Sequence, residues 1–355
     1  MSKLEQFVQN LKDQQLLLPI WFEKGALKLI NQKELPHKEE ILTIKKVENL
    51  AEAIRNMTIR GSGAIGIAGA WGLYLAALNS GGTREEMQRA ARLLKSTRPT
   101  AVNLMKTIDE MLSGVNGVEK MPIDRMEAKL IEILERQLQF EHSLGSYGAN
   151  LIDDGETVLT HCHSGALAGS GYGGRALSVI RKAYEQGKNI RVIACETRPY
   201  LQGARITAYE LQKFGIPVTL ITDNMSGYCM SKGMVQKVVV GSDRVAANGD
   251  LANKIGTYMH ALAAKEHNIP FYTATSSHTI DFSIQGGAGI EVEFRDAQEV
   301  TSLNAQRLAP MGVEALYPSF DITPNGYLSG IITEKGVITQ PYAINLQTLN
   351  RRVAH

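Results

Sequence analysis

Cysteine is scarce: 3 residues in 355, at positions 162, 195 and 229. An odd and sparse set implies no disulfide framework, and none of the three belongs to a Cys-x-x-Cys pair. A reducing, cytoplasmic setting is the expectation. Charge of one sign is also in short supply. With 38 basic and 36 acidic residues the formal balance is +2, which argues against a nucleic-acid protein held by bulk charge, though not against a local basic patch. Long apolar runs are missing as well. The longest, Ala64–Leu78, is too short to span a bilayer and reads as a buried helix. The first fifteen residues are polar and lack the apolar centre of a signal peptide. Internal repeats and low-complexity segments are absent. A soluble chain of about two domains, long enough for ample core, is the reading that remains.

Two rhythms divide the sequence. Pro19–Phe22 and Ala26–Ile30 read as a hairpin, and then helical spacing dominates: Val47–Met57, the apolar helix to about Leu78, Arg84–Lys95, Asn103–Leu112, and Ile123–Ser143 running toward Ile152. After Asp153–Gly155, apolar runs of strand length alternate with helical stretches. The runs are Val158–Cys162, Ile190–Cys195, Val218–Thr222, Val238–Gly241 and Phe271–Ala274. The helices fit Arg175–Gln186, Gly203–Phe214, Met225–Lys232 and Asn253–Glu266. This βαβα order predicts a parallel sheet covered on both faces. The expected architecture is α/β: a mostly helical domain with a small β start over 1–145, then a Rossmann-like catalytic domain over 146–355. Asp321–Pro324 reads as the start of a last helix, with Thr323 as its cap and Pro324 in its first turn.

Binding residues in such a sheet belong just past the strand ends. There the sequence carries Cys162, Glu196–Arg198, Asp223–Asn224 and Ser242–Arg244. The stretch Thr157–Gly174, TVLTHCHSGALAGSGYGG, runs from an apolar strand through Cys162 into glycines. Bare amides in such loops bind anions, so a thiol beside a phosphate-binding loop is one reading. A small buried thiol in a packing tract is the other. Gly169–Gly174 also matches G-x-G-x-x-G, but its first glycine lies seven residues past Cys162, a poor register for a dinucleotide fingerprint. His161 and His163 would share one face of the strand, with Cys162 on the other. The zinc spacings that would accompany them are missing, so no metal is expected, and Cys195 reads as a packing residue.

Asp243 closes the apolar strand Val238–Gly241, where burial would raise its pKa toward that of a general acid. A salt bridge to Arg244 or a helix cap is the plainer role. Lys254 falls in the first turn of the Asn253–Glu266 helix, where the dipole disfavours a cation, a hint of a bound anion. Arg60-Gly61-Ser62-Gly63 sets an arginine beside flexible amides, and Arg98 precedes Pro99. Two arginines, a lysine and a glycine loop together suggest a small phosphorylated substrate.

In order along the chain stand Arg98-Pro99-Thr100-Ala101-Val102-Asn103-Leu104, Thr160-His161-Cys162-His163-Ser164-Gly165-Ala166, Glu196-Thr197-Arg198-Pro199 with Gln202-Gly203-Ala204-Arg205, Thr222-Asp223-Asn224-Met225, Gly241-Ser242-Asp243-Arg244, Asn253-Lys254-Ile255-Gly256-Thr257 and Phe320-Asp321-Ile322-Thr323-Pro324. This set resembles the methylthioribose-1-phosphate isomerase family, itself related to the regulatory subunits of the eukaryotic initiation-factor exchange complex. The resemblance implies an aldose-1-phosphate to ketose-1-phosphate isomerase working without metal or nucleotide, as a homodimer. It implies Cys162 and Asp243 as the catalytic pair, with Arg60, Gly61, Ser62, Arg98, Gln202, Asn253 and Lys254 holding a small phosphorylated sugar. Ser62-Gly63 stands where the family has Ala-Pro, and His163 where it has asparagine. A 5-deoxyribose 1-phosphate isomerase, a ribose 1,5-bisphosphate isomerase and a non-catalytic regulatory subunit are therefore alternatives.

Overall fold

The computed structural model describes residues 2–99, 101–113, 119–303 and 306–351. Thr100 of the Arg98–Leu104 motif lies outside them. The chain forms two compact units. One comprises residues 1–141 and 164–174, the other residues 142–163 and 175–355.

The first unit begins with helix α1 (Lys3–Asp13), which the sequence reading passed over. Its Ser2 cap and Glu5 form a reciprocal capping box. Strands β1 (Ile20–Glu23), β2 (Ala26–Ile30) and β3 (Ile41–Ile44) make an antiparallel sheet. The expected hairpin is its first pair. Helices α2 (Val47–Arg55), α3 (Ser62–Ser80), α4 (Arg84–Thr97), α5 (Val102–Ser113) and α6 (Ile123–Ala149) follow. Helix α3 is apolar all round and buried from Ala64 to Ala77, as expected of a helix wrapped by others. Helices α2, α4 and α5 pack against it.

The second unit is built on a seven-stranded sheet. Its strands are β4 (Thr157–Thr160), β5 (Arg191–Cys195), β6 (Val218–Ile221), β7 (Lys237–Val240), β10 (Phe271–Ala274), β15 (Gly330–Thr333) and β16 (Gly336–Ile338). The spatial order is β16-β15-β10-β7-β4-β5-β6. All neighbours run parallel except β15 and β16, which pair antiparallel at the edge. Val158, Leu159, Ile193, Val238, Val240, Phe271 and Ile331 are almost inaccessible to water. Each such side chain contributes roughly 1.5–3 kcal/mol by burial. Helices α7 (Ala176–Glu185), α8 (Ala208–Lys213), α9 (Ser226–Ser231) and α10 (Thr257–Glu266) lie between the strands in sequence. The chain leaves β4 toward β5 and β6, then returns to the other side of β4 with β7. The order therefore reverses between β4 and β7, the position at which sheets of this kind bind ligands beyond the strand ends.

A second sheet had no counterpart in the sequence reading. It orders β11 (Ile280–Asp281), β8 (Arg244–Ala246), β9 (Leu251–Lys254) and β14 (Phe320–Thr323). Two expectations are corrected by it. Asp321–Thr323 is not a helix start but part of β14, paired antiparallel with β9, and Pro324 follows the strand. Asn253 and Lys254 are the last residues of β9 rather than the first turn of a helix; α10 begins at Thr257. The side chain that caps α10 is Asp321, whose carboxylate accepts from the amides of Gly256 and Tyr258 at 2.7 and 3.2 Å. The expected Gly203–Phe214 helix is present, but its first stretch, Gly203–Thr207, is wound as a π-turn.

Candidate active site

Cys162 follows β4 and Asp243 follows β7. These strands are neighbours in register, with Leu159 opposite Val238. The expected catalytic pair thus stands at adjacent strand ends at the point of topological reversal.

Cys162 is half-buried and sits in the left-handed region, at φ 68°. Thr197 (φ 61°) and Leu201 (φ 58°), past the end of β5, share that conformation. Each such non-glycine residue stores strain of about 1–3 kcal/mol, and it persists only where surroundings fix it. The surroundings here are explicit. The Cys162 amide donates to Thr197 Oγ1 at 2.9 Å, and the Cys162 carbonyl accepts from Thr207 Oγ1 at 2.8 Å. Gln202 Nε2 donates to the Cys162 sulfur at 3.3 Å. The Thr197 and Arg198 amides donate to the two oxygens of Asp223 at 2.8 and 2.7 Å. Gly203 is required because a Cβ there would stand 1.8 Å from the Cys195 carbonyl and 2.8 Å from Thr197 Oγ1. Among the residues expected to hold substrate, Gln202 is therefore brought to Cys162 directly.

The turn at Cys162 ends the strand alternation. His161 and His163 consequently do not share a face, as had been expected of them. His161 Nε2 meets the Ile255 carbonyl at 2.9 Å, and His163 Nε2 meets Glu210 Oε1 at 2.8 Å with both side chains fully buried.

Asp243 is exposed to solvent, yet protein atoms crowd around its carboxyl on the inner side. That crowding pushes its pKa upward, against the pull of Arg244, Lys254, Arg175 and Arg295. Arg244 itself pairs with Asp281 at 3.4 Å. Asp250, seven residues on, differs. Burial would raise it too, but hydrogen bonds from Gly287, Asn248 and Asn325 hold it below the usual carboxylate range. Two carboxylates of one motif are thus pushed in opposite directions. Lys254 is buried, with its ammonium 4.4 Å from the centre of the Phe320 ring, and Asn253 Nδ2 donates to Thr257 Oγ1 at 3.0 Å.

In the first unit, Gly61 caps α3 at φ 95°, and a Cβ on it would lie 2.5 Å from Ala168 Cα. Asn103 Nδ2 donates to Ser62 Oγ at 2.7 Å, which ties the Arg60–Ser62 corner to the first turn of α5, just past Arg98. The two arginine-bearing segments named from sequence are thus joined.

The glycine loop overturns one expectation. Four of its amides are already taken by a side chain of the protein. The fully buried Glu141 carboxylate accepts from Ser170 on one oxygen, and from Tyr172, Gly173 and Gly174 at 3.1, 3.0 and 3.0 Å on the other. The anion this nest binds belongs to the protein. Nothing in the helical pattern of Ile123–Ser143 distinguished Glu141 from its solvated neighbours.

The chain is an α/β protein with a thiol and a carboxyl at the switch point of a doubly wound sheet. Comparison with known proteins gives its family. Residues 58–340 match the Initiation factor 2 subunit family, and the chain belongs to that family. It is 48% identical over 339 residues to a methylthioribose-1-phosphate isomerase of Acetivibrio thermocellus, covering 93% of this chain and 98% of that one. The crystal structure of 5-methylthioribose 1-phosphate isomerase from Pyrococcus horikoshii OT3 is similar with a TM-score of 0.89, at 38% identity over 95% of this chain and 96% of that one. A structure of translation initiation factor eIF-2B, subunit delta, from A. fulgidus gives a TM-score of 0.87 at 41% identity, over 94% and 99%. Among the described residues no helix is long and apolar enough to cross a membrane.

Proposed function

We propose that the chain is an isomerase that converts methylthioribose 1-phosphate to methylthioribulose 1-phosphate, an aldose 1-phosphate to a ketose 1-phosphate, in methionine salvage. The observation that carries this reading is the placing of Cys162 and Asp243 at the ends of the paired strands β4 and β7. The likeness to the named isomerases supports it.

The chemistry fits these residues. An anomeric phosphate blocks the free-aldehyde route, so the ring must open while phosphate stays on C1. Asp243, with its raised pKa, is the acid that protonates the ring oxygen as its bond to C1 breaks. Hydrogen then passes from C2 to C1, and the C2 hydroxyl becomes the ketone as it releases its proton, which restores the proton that Asp243 gave to the ring oxygen. Either Cys162 takes the C2 proton as base and returns it to C1, or hydrogen shifts as hydride in a pocket that Cys162 helps keep dry. Hydrogen only moves within the molecule, so the net reaction requires no external oxidant. Arg60, Gly61, Ser62, Arg98, Gln202, Asn253 and Lys254 hold the substrate in this reading. With the loop amides taken by Glu141, the 1-phosphate depends on Arg60, Arg98 and Lys254, where charge-assisted bonds suit a dianion.

The sequence has no second basic cluster of this kind for a 5-phosphate. The C5 end therefore faces apolar groups. One such group gives only about 1–3 kcal/mol of discrimination, or roughly 10–200-fold between methylthioribose 1-phosphate and 5-deoxyribose 1-phosphate. The expected result is turnover of both by the purified protein alone, with the methylthio sugar favoured. The measurement is kcat/KM for these two and ribose 1,5-bisphosphate side by side. A best rate with the bisphosphate overturns the C5 assignment, and no turnover of any of the three leaves the regulatory-subunit reading. The protein is further expected to be a homodimer through its Rossmann-like half; a monomer in sedimentation at micromolar concentration contradicts this.

A further inference from the structure

Behind Cys162, four side chains converge that the reaction does not use. They are His161 past β4, Cys195 at the end of β5, Asp223 past β6, and His260 on α10. One donor atom from each lies within 4.8 Å of all the others. We propose that His161, Cys195, Asp223 and His260 form a closed, tetrahedral zinc site that fixes the strand ends carrying Cys162.

Three features of the geometry support this. The first is spacing. His161 Nδ1 is 3.1 Å from His260 Nε2 and 3.6 Å from Asp223 Oδ1. Zinc with nitrogen and oxygen ligands at about 2.0–2.2 Å has tetrahedral edges of roughly 3.3–3.6 Å, so the Asp223 edge fits as it stands and the hydrogen-bonded edge between His161 and His260 must open slightly. The second is the outer shell. Ligating imidazoles characteristically donate their far N–H to an oxygen, and ligating carboxylates are themselves hydrogen-bonded. His161 has Nε2 at 2.9 Å from the Ile255 carbonyl, and His260 has Nδ1 at 2.8 Å from Ser226 Oγ. Asp223 already receives the Thr197 and Arg198 amides. The third is space and access. Gly256, at φ 102°, leaves room beside the metal-facing His260 Nε2, where a Cβ would sit 3.7 Å away. His161, Cys195 and His260 are buried, while the Asp223 side chain keeps 19% of its surface in solvent and is the point of entry.

Binding demands little rearrangement. Without the ion, His260 Nε2–H donates to His161 Nδ1, and Ser226 donates to His260 Nδ1. With it, both inner nitrogens turn to the metal, His260 Nδ1–H donates to Ser226, and the Cys195 thiol proton is released to solvent. Nothing is oxidised or reduced. Four protein ligands leave no open position, so the ion takes no part in the chemistry at Cys162 and Asp243. Its influence on Cys162 runs through Thr197, whose Oγ1 lies 3.4 Å from His161 Nδ1 while receiving the Cys162 amide.

The test uses the full-length, reduced protein, stripped by chelation and dialysed. It is titrated with zinc against a chromophoric chelator and, separately, with cobalt(II) followed by absorbance. The expected result is one tightly held ion per chain. The cobalt form should show the intense visible bands of a tetrahedral site and a thiolate-to-cobalt band. Cys195→Ser should abolish the thiolate band and His260→Gln should weaken zinc retention by at least tenfold, whereas Cys162→Ser should change neither. Absence of stoichiometric binding to the wild-type protein overturns the proposal whatever the variants do. So does a thiolate band that survives Cys195→Ser and is lost in Cys162→Ser. Isomerase activity is not the readout, so failure here leaves the functional reading standing.

Discussion

Asp243→Asn is expected to lower kcat by about 10²–10⁴-fold, the usual cost of removing a positioned general acid, with KM changed little. Asparagine keeps the size and polarity of the side chain, so the strand end and its hydrogen bond from the Asp243 amide to Ala252 survive. What it loses is the proton that the ring oxygen receives as the ring opens. That interaction exists only in the transition state, so its loss falls on kcat rather than on binding. Asp250→Asn is the control. Asp250 accepts from Gly287, Asn248 and Asn325 at 2.8–3.0 Å, so its replacement should lower stability and leave kcat near normal in the folded fraction. Steady-state kinetics of both variants beside thermal unfolding decide the matter. Near-normal kcat in Asp243→Asn would assign Asp243 to structure and sink the proposed mechanism. A kcat loss of the same size in a folded Asp250→Asn would move the acid to Asp250.

Five of the parallel strands, β4, β5, β6, β7 and β10, were legible because each is a short, continuous apolar run, as a strand buried on both faces tends to be; β15, parallel to β10, was missed. From them followed the polar strand ends, where Cys162, Thr197 and Asp223 are linked by hydrogen bonds and Asp243 stands at the neighbouring strand end. The second sheet was not legible. Its strands β8, β9, β11 and β14 are two to four residues long, and Leu251–Lys254 carries an asparagine and a lysine although all four residues are buried. Short polar strands have no periodicity to detect, and tertiary pairing overrides local propensity. Thr323-Pro324 misled for the same reason: a cap and a proline resemble a helix start, yet β14 is held by its register with β9. The cluster of His161, Cys195, Asp223 and His260 has no spacing signature at all. Its members are brought together by the parallel order of β4, β5 and β6 and by α10, and metal-site patterns in sequence detect only ligands close along the chain. His161-Cys162-His163 looked more like a cluster and is not one, because the positive φ at Cys162 sends the two rings to different partners.

Glu141→Gln should be the most destabilising single substitution in the first unit, by about 2–6 kcal/mol. The loop residues Ser170, Tyr172, Gly173 and Gly174 direct four backbone N–H groups at one buried carboxylate. Burial raises the Glu141 pKa although those four donors pull it down; the four donors are nevertheless satisfied together only by the ionised form, whose two oxygens offer about four acceptor sites. Glutamine keeps one of those oxygens and replaces the other with an NH₂ group, which faces amide hydrogens instead of accepting them. With the glutamine oxygen turned to Tyr172, Gly173 and Gly174, the Ser170 N–H lacks an acceptor and so does the new NH₂ group, at about 1–3 kcal/mol each. Water has no ready route to repair the loss, since a Cβ on Gly169 would already stand 2.2 Å from Glu141 Oε1 and 2.7 Å from Gly174 Cα. Glu141→Asp should also fail, because the shorter side chain withdraws the carboxylate from the loop. Urea unfolding followed by near-UV circular dichroism, compared with wild type, gives the shift. A Glu141→Gln protein as stable as wild type would mean that the loop holds its shape without the carboxylate. Its amides would then return as candidates for binding the substrate's phosphate, and the assignment of that phosphate to Arg60, Arg98 and Lys254 alone would fall.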